Sequence, residues 1–104
     1  MYCIIQTTFK HRAVGDDIIN ALFEKNLVAC IQKQAISSRY KWNGQVEHEH
    51  ETLLSIKTKT AHFEEIRDLI LELHDAKIPE IIMIPIVNGN RDYLDWIDEV
   101  TCAT

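Results

Sequence analysis

Between Ala29 and Lys59 two extended runs, each of roughly fourteen residues without proline or glycine, are joined only by Asn43-Gly44. Asn-Gly between β-type runs marks a two-residue hairpin, because a type I′ turn needs φ > 0 at both central residues. At ~3.3 Å per residue such a ribbon reaches about 45 Å. A compact domain of this length has a radius of gyration of only about 13 Å. The far half of the ribbon therefore has too little of its own chain to lie against, and it is expected to pack on other copies of itself.

A two-residue turn pairs Trp42 with Gln45, and opposed residues share a face. One face then carries Ala29, Ile31, Ala35, Leu54 and Ile56 near the open end, and Arg39, Lys41, His48 and His50 near the tip. The other carries Ile36, Tyr40 and Trp42 against Glu47, Glu49, Glu51 and Leu53. Apolar character changes face along the ribbon, which suggests a base on its own helices, an arm on a neighbour, and a bulge between them. Tyr40 and Trp42 are the expected subunit contacts.

The remaining elements follow from periodicity. Tyr2 to Thr8 reads as a buried strand. Val14, Ile18 and Leu22, with Ile19 and Phe23, give a helix from about Arg12, with Asp16 and Asp17 near its start and Asn26 closing it. Thr60 is the expected cap of a second helix with the stripe Phe63, Ile66, Leu69, Ile70 and Leu73. Glu80 to Val87 is an apolar strand whose Pro85 implies an edge. Asn88 or Asn90 caps a last helix carrying Tyr93, Leu94, Trp96, Ile97 and Val100, and the tail from Thr101 to Thr104 is expected to fray. The order predicts one α+β domain over residues 1–104. It is a ferredoxin-like βαββαβ sandwich with a long protruding β-hairpin and a short C-terminal helix.

Composition narrows the function. A net charge of −5 argues against a nucleic-acid or anionic-membrane surface. No apolar run approaches a membrane span, and the N-terminus lacks a signal-peptide pattern, so a cytoplasmic protein is expected. Cys3, Cys30 and Cys102 are too widely spaced for a disulfide framework, and Cys3 and Cys30 are expected to be buried thiols. No nucleophile–base set, phosphate-binding glycine loop or C-x-x-C is present, so a non-catalytic module is expected.

Three groups of residues have metal or anion chemistry. His48 and His50, in Glu47-His48-Glu49-His50-Glu51, project from one strand face and can share a metal. A selective site wants three or four ligands, and Arg39 opposite His48 disfavours a cation. The glutamates on the other face suit hydrogen bonding at a subunit contact. His74 and Glu80 flank the turn before the last strand and can approach one another, though helix-end stabilisation by His74 is the simpler role. Lys57 and Lys59 either meet an anion or stay solvated, and His11 and His62 are expected to face water.

Five segments together resemble one family. They are Leu27-Val28-Ala29-Cys30, Tyr40-Lys41-Trp42-Asn43-Gly44, Ile56-Lys57-Thr58, Leu73-His74 with Pro79-Glu80-Ile81-Ile82, and Tyr93-Leu94-Asp95-Trp96. In matching order they are similar to the CutA family of divalent-cation tolerance proteins. The resemblance implies a homotrimer with hairpins wrapped about a threefold axis, like the PII nitrogen-signalling proteins. It also implies a role in copper and other divalent-metal tolerance, with at most weak binding of Cu(II) or another divalent cation. This chain has His74-Asp75-Ala76 where the family commonly has His-Pro-Tyr, and Gln6 where some relatives carry a cysteine. Of the metal candidates His74 and Glu80 remain. The alternative implied by the architecture is a PII-like module binding a small anionic metabolite in clefts between subunits, lined by Trp42, Lys57 and Tyr93.

Overall fold

A computed structural model describes residues 1–101. Its elements are β1 (Tyr2–Phe9), α1 (Arg12–Glu24), β2 (Cys30–Trp42), β3 (Gln45–Lys59), a 3-10 turn (Thr60–His62), α2 (Phe63–Leu73), β4 (Ile81–Ile86) and α3 (Arg91–Val100). The sheet is antiparallel in the order β2-β3-β1-β4, which is the expected ferredoxin-like arrangement. β4 pairs only with β1, so Pro85 sits on an edge strand where its missing N–H costs least. The expected tail beyond Thr101, with Cys102, lies outside the described residues. Thr101 itself is buried, and its hydroxyl donates to the Ile97 carbonyl at 2.7 Å.

Asn43 and Gly44 adopt φ of 52° and 76°, and the ladder runs unbroken from Trp42↔Gln45 to Cys30↔Lys57. The pairing is the one the Asn-Gly turn demands. No bulge interrupts it. β1 stops at Phe9 opposite Thr52, and beyond that point β3 has only β2 beside it. That distal ribbon is the arm. It stretches the molecule to 44 × 26 × 21 Å with a radius of gyration of 14.4 Å, against about 13 Å for a compact chain of this size.

The core follows from strand alternation. Cys3, Ile5 and Phe9 of β1 and Leu54 and Ile56 of β3 point to the face covered by Ile18 and Leu22 of α1 and Ile66 and Ile70 of α2. Burial there pushes the Cys3 thiol up to about 11, so it behaves as a small apolar group. Cys30 is only half-buried, because it opens β2 at the sheet edge. Thr58 donates to the Leu27 carbonyl at 2.6 Å and ties β3 to the turn after α1. Asn26, at φ 55°, supplies the left-handed residue of that turn.

Helix termini differ from expectation in two places. Thr60 caps nothing; its hydroxyl donates to the Met1 carbonyl, and the 3-10 turn intervenes before α2. Asp16 and Asp17 lie past the first turn of α1, which holds no acidic residue. Asn90 does cap α3, accepting from the Asp92 N–H at 3.3 Å. α3 lies on the sheet face opposite α1 and α2, since it meets Tyr2, Lys57 and Lys59, which alternate with the core residues. Leu94 and Ile97 are buried beneath it, while Tyr93, Trp96, Ile82 and Ile84 remain exposed.

Candidate functional site

Where β1 ends and the arm begins, the chain encloses a cleft of about 740 Å³. Three segments wall it: the residues after Thr8, the glutamate face of the arm, and the turn from His74 to Glu80. Lys10 Nζ stands 2.7 Å from Glu49 Oε1, and the Tyr40 hydroxyl donates to the same oxygen at 3.0 Å. These contacts brace the arm against the body. The strand periodicity places Tyr40 and Glu49 on one face, but nothing in the sequence links Lys10 to Glu49 across 39 residues.

The brace sets the charge states. Hydrogen bonds from Lys10 and then Tyr40 hold the Glu49 carboxyl below its ordinary 4.5. The bond to Glu49 raises Lys10 above 10.5, and Tyr40 is raised by the same partner. A depressed carboxyl stabilises the fold above its ordinary value, and the contribution is lost as pH falls through the depressed value. A raised ammonium stabilises below 10.5, and that contribution is lost as pH rises through the raised value. The Tm difference between the native protein and Glu49→Gln is therefore expected to be flat across neutral pH and to shrink toward both extremes. Because the groups face solvent, the difference is small. A difference that persists in acid would mean that Glu49 acts through packing instead.

His74 is packed into the wall of the cleft with its side chain 4% exposed. Its Nε2 lies 2.6 Å from the Thr8 carbonyl, and its Nδ1 accepts the Ala76 N–H at 2.9 Å. The ring is thus the neutral Nε2–H tautomer, with both nitrogens engaged. It staples the α2–β4 turn to the end of β1, rather than bonding the last carbonyls of α2. Glu80 lines the same cleft and is exposed. A metal would have to displace Ala76 from Nδ1 before His74 and Glu80 ligated it together. Among the described residues no group of three His, Cys, Asp or Glu side chains is set to hold a metal ion.

The other expected site residues divide. Lys57 and Tyr93 meet, with Lys57 Nζ 5.6 Å from the ring centroid, and Tyr93 packs beside Trp96 at 5.6 Å. Trp42 lies at the opposite end of the ribbon from Cys30, the partner of Lys57, so one chain does not bring it to them. Lys59 is tied to Asp98 at 3.0 Å. His11 faces solvent against Asp75 at 2.9 Å. His62, expected to face water, is part-buried and bonds the Thr101 carbonyl at 2.8 Å through Nε2. Tyr40 and Trp42 are each 36% exposed, bare for side chains of their size at the end of an arm.

Known proteins share this architecture. The solved periplasmic divalent cation tolerance protein CutA from Archaeoglobus fulgidus superposes with a TM-score of 0.93 at 35% identity, covering 97% of this chain and 99% of that one. The divalent-cation tolerance protein CutA of Thermus thermophilus is 37% identical over 99 residues, 94% of this chain and 96% of that protein. Protein CutA of Homo sapiens is 34% identical over 95 residues, 90% of this chain, which spans about half the length of the human protein (53%). The model of the CutA1 divalent ion tolerance proteins matches residues 3–100, from the first strand through the last helix. With arm, cleft and open-face helix all inside that span, the chain belongs to the CutA1 divalent ion tolerance protein family.

Proposed function

We propose that this protein acts in tolerance of divalent metal ions as a homotrimer, with weak cation binding and no catalytic step. The observation that carries the assembly is the arm, whose aromatic face stands bare beyond the end of β1. Laid across the open sheet face of the next copy, it would bring Trp42 to Lys57 and Tyr93, which the single chain keeps apart. The exposed Ile82 and Ile84 offer that arm an apolar bed. For the cation, we propose Cu(II) first, since it leads the divalent series at sites with imidazole and carboxylate donors. It would engage Glu80 at the cleft, with His74 Nδ1 released by movement of the exposed Ala76–Lys77 turn. Weakness follows from two ligands and from the bond that must open. The free thiols of Cys3 and Cys30 suit a reducing compartment, and we place the protein in the cytoplasm.

The anion-binding alternative has less behind it. Lys57 is held over Tyr93 and Lys59 is paired with Asp98, so neither presents a free ammonium on the open face. A strain lacking the gene is expected to stop growing at a lower Cu(II) or other divalent-ion concentration, with the intact gene restoring the limit. Equal limits for all divalent ions tested would overturn the tolerance reading.

A further inference from the structure

The arm has a second face that the proposed assembly does not use. His48 and His50 point away from Tyr40 and Trp42, and both are exposed. Their ring centroids lie 5.4 Å apart. A nitrogen-to-metal bond of about 2.0–2.1 Å puts a ligating ring centre about 3.2 Å from the ion. Two such centres 5.4 Å apart subtend about 115° at a shared ion, close to the tetrahedral angle. The spacing comes from the backbone, because residues two apart on a strand share a face. Exposed rings can turn about χ2 to aim one nitrogen each at a common point. Ser37 Oγ lies 2.8 Å from His48 Nε2. With the hydroxyl accepting from Nε2–H, the His48 ring is oriented and Nδ1 keeps its lone pair, as happens where the far nitrogen of a metal-binding histidine is hydrogen-bonded.

We propose that His48 and His50 form a two-imidazole chelate for a late first-row divalent ion, completed by water, on the outward face of the arm. This site is separate from the His74–Glu80 cleft and does not rest on the tolerance reading. Imidazole donors select Zn(II), Ni(II) or Cu(II) over Mg(II) and Ca(II), which want oxygen. Arg39, paired with His48 across the ladder, sets the electrostatic cost and keeps the site weak.

Ni(II) is the suitable probe, since it does not oxidise the thiol of Cys30. Calorimetric titration of the full chain is expected to show a Ni(II) site that weakens tenfold or more in His48→Ala and likewise in His50→Ala. Arg39→Ala is expected to tighten it severalfold. In NMR spectra, paramagnetic broadening should centre on the His48 and His50 rings. Both histidines are exposed, so the variants should keep the native assembly, checked by sedimentation. Undiminished Ni(II) binding in the His48→Ala, His50→Ala double variant, or broadening centred on His74, would overturn the proposal. Neither result bears on growth under metal stress, so the two readings fail independently.

Discussion

Trp42→Ala is expected to shift the proposed homotrimer toward single chains and to lower its Tm. In the isolated chain Trp42 is 36% exposed, near the tip of the arm at the mouth of the cleft. Covering a large apolar side chain is worth about 1.5–3 kcal/mol. A closed trimer repeats the contact at each interface, so the loss is felt three times over in assembly. Every 1.4 kcal/mol is tenfold in an equilibrium constant, which makes the expected drop in association several orders of magnitude. Tyr40→Phe should do far less, because the ring remains while only its hydrogen bond to Glu49 is lost. Sedimentation equilibrium decides the matter. A Trp42→Ala protein that stays fully associated and equally heat-resistant would show that the arm tip does not drive assembly.

Gly15→Ala is expected to destabilise the monomer fold, although alanine is the better helix former. A Cβ at Gly15 would fall 2.3 Å from Cζ of Phe9 and 2.5 Å from both Cε atoms. Phe9 is only 6% exposed, at the last position where β1 pairs with β3, so its ring must shift to admit the methyl group. Overpacking of this kind costs about 1–3 kcal/mol, and the gain in helix propensity returns up to about 1 kcal/mol of it. The net loss corresponds to a fall in Tm of about 5–15 °C for a domain of this size. Gly15→Val should fall further. In a Phe9→Leu background the alanine should cost much less, and that coupling assigns the effect to the ring. A neutral or stabilising Gly15→Ala would show that the core yields at this point.

Gly15 illustrates what a sequence can and cannot convey. Its position inside a helix pattern marks it as a local weakness, yet only the approach of Phe9, six residues earlier, gives it a purpose. The ribbon was legible because Asn43-Gly44 fixes the parity of every pair along β2 and β3, and parity fixes which side chains share a face. The order of elements was legible for the same reason, since each has a clear period. The side of the sheet taken by α3 was not, because Lys57, Tyr93, Lys59 and Asp98 meet across long separations that no period encodes. His74 was legible as a residue at the turn before the last strand, but its engagement by Thr8 and Ala76 depends on two backbone groups, which the sequence does not distinguish. Thr60 misled because it satisfies a cap pattern while the Met1 carbonyl lies within reach.

The early end of β1 has one more consequence. It leaves β3 from Gln45 to Glu51 with a bare rim of backbone donors and acceptors, and β2 has another along its outer side. Such rims invite runaway stacking of strands into fibrils. Charges stand guard along both: Lys33, Arg39 and Lys41 on one, and Glu47, Glu49 and Glu51 on the other. The reach of the arm is therefore bounded by how much unpaired rim those charges can keep soluble.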